Sequence, residues 1–343
     1  MKLPKLSFLS QQVAIDLGSS ATRIWIPGQG VVVDEPTAIA IEAANNKVLA
    51  VGSAAQEMMG RVSQTLTVSS PLKNGVIVDL DLTVAMVKVF LQKVLKAPFF
   101  FRPTVAVSVP SAATDTDRQV IFEAMMQLGA GEVVIVDQIL AAAIGAGVPI
   151  ADASGSLVCQ LGAGLAEVGM ISLGSVIASQ SSPFAGDELD ERLQRLVRQQ
   201  TSLAIGRTAA RQLKEKVASF LSDASHNMRV AGQDIVAKVP QEKLIESTDL
   251  RPLLVLLLAE YMKLIRQVLA KVPPELTADV IDKGMLLSGG LAKMEGLGQA
   301  LTEQLQLPVA VVDDPQLSAV RGISQILENL DLFRESIGYH QSR

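Results

Sequence analysis

The sequence predicts a duplicated α/β fold of two lobes, each built on a central mixed sheet. Three observations predict it. Residues 157–172 read as an apolar run, a glycine-containing turn and a second apolar run, the pattern of a β-hairpin whose turn approaches something closely. Residues 13–26 repeat that plan, with Gly18 lying 144 residues before Gly162 and Asp16 the same 144 before Gln160. Elsewhere strand and helix patterns alternate, which favours sheets covered by helices. Gly162 and Gly164 carry no Cβ, so backbone N–H groups there can face a phosphate. Two such hairpins imply two related domains with a ligand between them, and 343 residues suit two domains.

The totals narrow the function. Hydrophobic residues are 49% and mean hydropathy is +0.34, ample for a large core; aromatics are only 3%, so that core is aliphatic. A net charge of −5 argues against nucleic acid as a partner. One cysteine, Cys159 in an expected buried strand, fits a reducing cytoplasm. Two histidines and that cysteine make a protein-built zinc site untenable. No apolar run approaches the ~18 residues of a membrane span, and the N-terminus lacks the apolar region and cleavage site of a signal peptide.

Residues 1–10 mix Lys2 and Lys5 with Leu3, Leu6, Phe8 and Leu9. They read either as a short membrane-surface helix or, given Pro4 and the short length, as a tail packing a few apolar residues. After the first hairpin and a turn at 28–30, strands are expected at 31–33, 37–42 and 48–51, with a short helix over 54–60 ending at glycine. Leu72-Lys73-Asn74-Gly75 is a turn before a strand at 76–78. Asp81 or Thr83 caps a helix reaching Leu95, with apolar positions at Val84, Val87, Phe90, Leu91 and Val94. Between Pro98 and Pro103 stand Phe99, Phe100 and Phe101, three of the chain's nine phenylalanines. A strand at 105–109, a helix at 116–128 closed by Gly129, a strand at 132–136 and an alanine-rich helix at 138–147 follow. The second half repeats the plan. Its hairpin leads to a strand at 175–179 and a helix from Gly186, with acids in the first turn and arginines later, as the helix dipole favours. Then come a helix at 208–220, two strands within 227–239 around Gly232-Gln233, and a long helix at 250–271. A helix after Pro273-Pro274, a strand at 284–287, a helix at 296–304, a strand at 309–312 and a helix at 316–330 complete the chain.

The two hairpins, taken with Leu286-Leu287-Ser288-Gly289-Gly290, resemble the actin/Hsp70/sugar-kinase ATPase superfamily, and more narrowly the MreB family of bacterial actins. The resemblance covers essentially the whole chain. It rests also on Pro71-Leu72-Lys73-Asn74-Gly75-Val76-Ile77, Ala141-Ala142-Ala143-Ile144-Gly145-Ala146-Gly147, Pro273-Pro274-Glu275-Leu276, Asp314-Pro315 and Ala319-Val320-Arg321-Gly322. It implies an actin-like (ribonuclease H-like) duplicated fold with a nucleotide cleft between the lobes. The first lobe would span 1–144 with a small subdomain near 31–75, and the second 145–320 with a small subdomain near 184–250. A C-terminal helix and tail, 321–343, would return to the first lobe. The resemblance further implies ATP or ADP with Mg2+, and polymerisation with copies of itself into paired antiparallel protofilaments. It implies a cell-shape role in the cytoplasm, at the inner face of the membrane, beside cell-wall elongation membrane proteins.

Carried over residue by residue, Asp16, Gly18, Ser19 and Ser20 match the first phosphate loop, and Gly162, Ala163 and Gly164 the second. Lys214 and Glu215 match the helix against ribose and base; Ser288, Gly289 and Gly290 match the adenosine turn. Each type suits its task. A strand carboxylate such as Asp16 can hold hydrated Mg2+, hydroxyls and N–H groups bind phosphate, and glycines admit a base. Taken alone, Asp16 reads equally as a turn-capping aspartate, Gly289-Gly290 as a plain turn, and Lys214 and Glu215 as a solvated helix face. Phe99, Phe100 and Phe101 fall where the family carries a membrane-insertion loop, with Lys96 and Arg102 flanking them for anionic headgroups; the competing reading places one or two of them in the core.

The departures from the family pattern fall on the chemistry. Gln160 stands for an aspartate that helps hold Mg2+ through water, Leu165 for a threonine, Ala163 for a glycine, and Gln138 for a glutamate that orients the attacking water, although conventional actin has glutamine there. Leu291-Ala292 follows where a third glycine is usual. Gln138 can orient water but is no base, and Asp137 compensates only if it points into the cleft. Slow or absent turnover with nucleotide binding retained is therefore expected, a nucleotide-free scaffold being the alternative. Rival functions are an enzyme or chaperone-type ATPase of the superfamily, or a non-polymerising membrane adaptor of the FtsA or PilM kind.

Overall fold

The structure is a computed structural model that describes residues 12–61, 65–95 and 102–333 and the backbone of 338–341. Residues 1–10, Lys96, Phe99, Phe100 and Phe101 lie outside the described residues. The chain divides into two compact units, Met1–Ile150 with Leu317–Arg343, and Ala151–Gln316.

The first unit opens with β1 (Gln12–Leu17), β2 (Ala21–Ile26) and β3 (Gly30–Pro36), an antiparallel meander. β1 is buried from Val13 through Leu17, as a central strand demands; β2 alternates, with Thr22, Ile24 and Ile26 inward. β4 (Ile39–Glu42), β5 (Val48–Val51), α1 (Ser53–Met58) and β6 (Leu66–Ser69) form a small satellite in which β4 pairs with both other strands. β7 (Leu72–Lys73) and β8 (Val76–Ile77) make a tight hairpin whose central residues Asn74 and Gly75 have φ of 51° and 78°, as a two-residue hairpin turn requires. α2 (Leu80–Val94) is capped by neither expected residue. Asp79 caps it, accepting from the Leu82 N–H at 3.0 Å, while the Thr83 hydroxyl donates to the Asp79 carbonyl at 2.6 Å. β9 (Thr104–Val109), α3 (Asp115–Gln127), β10 (Glu132–Asp137) and α4 (Gln138–Gly145) follow; a reciprocal Thr114/Asp117 capping box starts α3.

The second unit repeats the order with β11 (Ser156–Leu161), β12 (Ala166–Ser172) and β13 (Ser175–Ser182), again an antiparallel meander. α5 (Gly186–Thr201), β14 (Leu203–Ala204), α6 (Arg207–Lys216), β15 (Asn227–Asp234), β16 (Pro240–Glu246) and α7 (Ser247–Leu269) come next, then α8 (Pro274–Lys283), β17 (Met285–Ser288), α9 (Leu297–Leu305) and β18 (Val309–Val311). Two expectations fail here. Gly232-Gln233 is not a turn but lies inside β15. A Cβ on Gly232 would stand 2.4 Å from the Ala204 carbonyl oxygen, so the glycine serves the close approach of β14. The turn follows instead at 235–239, where Asp234 accepts from the N–H groups of Val236 and Ala237. The expected helix over 208–220 stops at Lys216, and Phe220 bonds its N–H to the Glu295 carbonyl.

The chain then returns to the first unit with α10 (Ser318–Glu328), α11 (Leu330–Phe333) and β19 (Gly338–Gln341), a strand absent from the sequence expectation. The main sheet of the first unit runs β19-β10-β9-β1-β2-β3, that of the second β13-β12-β11-β17-β18. In each, the hairpin's first strand sits centrally and pairs in parallel with a later strand. Each unit has its own aliphatic core, one around Ile15, Phe90, Val107 and Ile135, the other around Leu157, Leu193, Leu257 and Leu287. Cys159 is wholly buried in the second, and burial pushes its thiol up to about 12, an unreactive state. Among the described residues no helix is long and apolar enough to cross a membrane.

α4 and α10 cross at very short range. A Cβ on Gly145 would lie 1.9 Å from the Ser318 carbonyl oxygen, and one on Gly322 1.8 Å from that of Ala141. The alanine-rich stretch and the Ala319-Val320-Arg321-Gly322 run are thus a packing device. It seats the helix that begins at Gln138.

Candidate functional site

The two glycine turns have the same geometry. The Gly18 N–H donates to the Ala21 carbonyl at 3.1 Å, and the Gly162 N–H to that of Leu165 at 2.9 Å. A Cβ would stand 2.8 Å from that oxygen at Gly18 and 2.9 Å at Gly162, so both turns require glycine. Residues 18–20 are half-buried, as are Gly162 and Ala163, while Gly164 is buried.

In the first unit the turn is braced from several sides. The Thr37 hydroxyl donates to the Gly18 carbonyl at 2.6 Å, and the Ser19 Oγ accepts from the Gly75 N–H at 2.9 Å. The Pro71–Ile77 sequence is therefore the platform of this turn. Having accepted one bond, the Ser19 hydroxyl still has its proton to donate.

In the second unit the turn is tied to the start of α5. The N–H groups of Gly186 and Asp187 donate to the carbonyls of Gly162 (3.2 Å) and Ala163 (2.7 Å). Lys214 Nζ, on α6, donates to the Gly186 carbonyl at 3.0 Å and stands 2.7 Å from Asp190 Oδ1. Asp190 is wholly buried; burial pushes its carboxyl up, and Lys214 and then Arg211 oppose that. Lys214 is thus committed to protein groups, while its neighbour Glu215 is exposed. Ser288 and Gly289 are likewise structural: the Ser288 hydroxyl and the Gly289 N–H both donate to the Pro315 carbonyl, at 3.2 and 2.8 Å. Gly289 has φ of 88° and its absent Cβ would meet the Leu161 carbonyl oxygen at 2.2 Å. Gly290 is exposed, a Cβ there would have nothing within 4 Å, and its backbone is open to a ligand.

A polar row crosses each main sheet at equivalent places. In the first unit Ser108, Asp16, Arg23 and Asp34 stand on four adjacent strands. Asp16 pairs in register with Arg23, and Arg23 with Asp34. The Ser108 hydroxyl donates to Asp16 Oδ1 at 2.8 Å; Arg23 Nη1 is 3.6 Å from Asp16 Oδ2, and its Nε 3.0 Å from Asp34 Oδ1. In the second unit the row is Ser288, Gln160, Glu167 and Ser181. Burial pushes the Asp16 carboxyl above its ordinary value, opposed first by Arg23 and then by Ser108. Gln160 Oε1 is buried with no hydrogen-bond partner, an acceptor that only a donor such as water can satisfy.

These facts test the fit of Mg2+. Both oxygens of Asp16 are engaged, Oδ1 by the Ser108 hydroxyl and Oδ2 by a guanidinium 3.6 Å away that it shares with Asp34, so its charge is partly offset and it does not offer the open anionic group that a hydrated divalent cation takes. Gln160 is uncharged. Among the described residues no group of three or more His, Cys, Asp and Glu is placed to hold a metal. Gln138 is the half-buried first residue of α4. Asp137 is ion-paired with Arg118 at 2.5 Å, which holds it away from duty as a base.

The first unit therefore gathers Asp16 with Gly18, Ser19 and Ser20. The second gathers Gln160, Gly162, Ala163 and Gly164 with Ser288, Gly289 and, through Gly186, Lys214. Sequence reasoning missed Arg23, Ser108, Glu167 and Arg118. The 144-residue repeat could have found two of them, since Arg23 maps onto Glu167 as Asp16 maps onto Gln160.

Residues 10–335 match the family described as MreB/Mbl protein. The chain is 34% identical over 323 residues to the cell shape-determining protein Mbl of Bacillus subtilis (strain 168), covering 94% of this chain and 97% of that one. It is 35% identical over 330 residues to the cell shape-determining protein MreB of Escherichia coli (strain K12), covering 94% and 95%. Among solved structures, MreB5 of Spiroplasma citri bound to AMPPNP superposes with TM-score 0.92 at 26% identity, over 95% of this chain and 98% of that one. The MamK double helical filament superposes with TM-score 0.76 at 18% identity, over 93% and 99%, a likeness of fold alone.

Proposed function

The chain belongs to the MreB/Mbl family, and on that premise we propose that it is a nucleotide-binding, membrane-associated cytoskeletal filament protein that acts in cell shape or a related spatial task. The observation that carries the reading is the pair of matched glycine turns, each braced by its own unit and each opening half-buried backbone and, at Ser19, a hydroxyl proton to an anion. The ligand is ATP or ADP. The likeness to an MreB5 bound to AMPPNP supports this, and the likeness to a filament protein supports self-association. Turnover is weakened. Gln160 and Leu165 lack the charge and hydroxyl that would organise water, and Asp137 is held by Arg118. Cytoplasmic location and cell-wall elongation membrane proteins as partners belong to the same proposal.

Electron microscopy and sedimentation of the purified chain, with and without ATP and lipid, test it. Filaments are expected; monomer under every condition would refute polymerisation and favour an adaptor. Phosphate release in the same samples is expected to be at least about tenfold slower than in a relative with the full aspartate, threonine and glutamate set. The Gln160→Asp, Leu165→Thr variant should recover part of that rate, and an unchanged rate would clear these two positions of blame.

For the membrane, Phe99, Phe100 and Phe101 would each contribute ~1.5–3 kcal/mol when inserted, multiplied along a polymer. Changing all three to serine is expected to abolish liposome flotation; flotation like the parent's would place the anchor elsewhere.

A further inference from the structure

We propose that Arg23 supplies, from within the chain, the positive charge at Asp16 that a divalent cation would otherwise bring, so that adenine nucleotide binds this protein without Mg2+. The proposal rests on the nucleotide-binding reading above. A carboxylate beside a phosphate-binding turn repels the incoming anion, and a metal ion between the two is one way to cancel that repulsion. Here the cancellation is built in. Asp16 stands two residues before Gly18 and faces Arg23 across the hairpin, with the guanidinium 3.6 Å from Oδ2.

Arg23 is fixed there by more than Asp16. Its Nε is 3.0 Å from Asp34 on the next strand, an ion pair without hydrogen-bond alignment, so the guanidinium lies between two acids in one cross-strand row. Its side chain is only 15% exposed, and little water competes for it. The other oxygen of Asp16 takes the Ser108 hydroxyl. A cation approaching Asp16 would meet a guanidinium already in contact. At the equivalent place in the second unit Gln160 is a neutral amide, whose unpartnered Oε1 calls for a hydrogen-bond donor and not for a metal. In the first unit the charge at Asp16 is thus offset by a protein cation, and in the second the Gln160 position carries no charge of its own.

Calorimetric titration of the full chain with ADP and with AMPPNP, once in Mg2+ and once in EDTA, decides the matter. The parent is expected to bind with dissociation constants that agree within about threefold between the two buffers. Arg23→Leu is expected to become metal-dependent, losing about tenfold or more in EDTA, whereas Arg23→Lys keeps the parent's indifference. Circular dichroism identifies any variant that fails to fold, and the comparison on the parent stands without it. A parent that binds in Mg2+ but loses tenfold or more in EDTA overturns this proposal while leaving the nucleotide reading intact. No binding in either buffer overturns both.

Discussion

Lys214→Met is expected to lose about 3 kcal/mol or more of unfolding free energy at neutral pH, because removing one partner of a buried ion pair strands the other charge. Asp190 has no exposed side-chain surface, and Lys214, 11% exposed, is its nearest cation at 2.7 Å; Arg211 stands farther off at 3.6 Å. Methionine keeps the stem's volume, so the loss reports charge rather than a cavity. The pH dependence gives a second check. Burial already holds the folded carboxyl above its unfolded value, so the folded state takes up the proton more readily. Losing Lys214 raises it further. The variant's deficit is therefore full above the folded pKa and shrinks as pH falls through it, since a protonated Asp190 needs no cation. Urea unfolding at neutral and mildly acidic pH measures both, and Asp190→Asn in the same background should restore part of the loss. A neutral-pH deficit under about 1 kcal/mol, or one indifferent to pH, would show that Arg211 alone suffices.

Gly322→Ala should destabilise the first unit by at least about 3 kcal/mol or prevent its folding, the upper end of what overpacking costs. The added methyl would lie 1.8 Å from the Ala141 carbonyl oxygen, and backbone cannot swing aside as a side chain can. α4 and α10 would have to separate, opening the layer beneath β1 and β9. Gly145→Ala should behave alike, since its methyl would meet the Ser318 carbonyl at 1.9 Å. Gly298→Ala is the control. Its methyl would touch only a Val311 side-chain methyl, at 3.3 Å, inside α9, so stability should stay within about 1 kcal/mol of the parent. Thermal unfolding of the three variants side by side would expose an error if Gly322→Ala and Gly298→Ala melt together.

The hairpins, their 144-residue spacing and the alternation of strand and helix were legible in the sequence. Each is written in local signals: a glycine where a turn closes, apolar runs of strand length, and caps at helix starts. The same signals misled where one residue type serves two ends. Gly232 read as a turn because glycine marks turns, yet it makes room for Ala204. Asp81 read as a cap because it stands near the start of a helical pattern, yet Asp79, two residues earlier, holds that place.

What the sequence by itself determined, then, is where the two matched hairpin turns fall and which strands carry Asp16 and Gln160. Those follow from backbone sterics and from periodicity, which act between near neighbours. What only the tertiary structure decided is whom the charged residues face. Arg23 meets Asp16 because strand register sets them opposite; Arg118 reaches Asp137 and Lys214 reaches Asp190 because separate elements are packed side by side. Gly145 and Gly322, far apart in the chain, become indispensable to each other only where two helices cross. Charge partnership and close packing depend on distances of a few ångströms in space, and spacing along a chain does not encode them until register and packing are set.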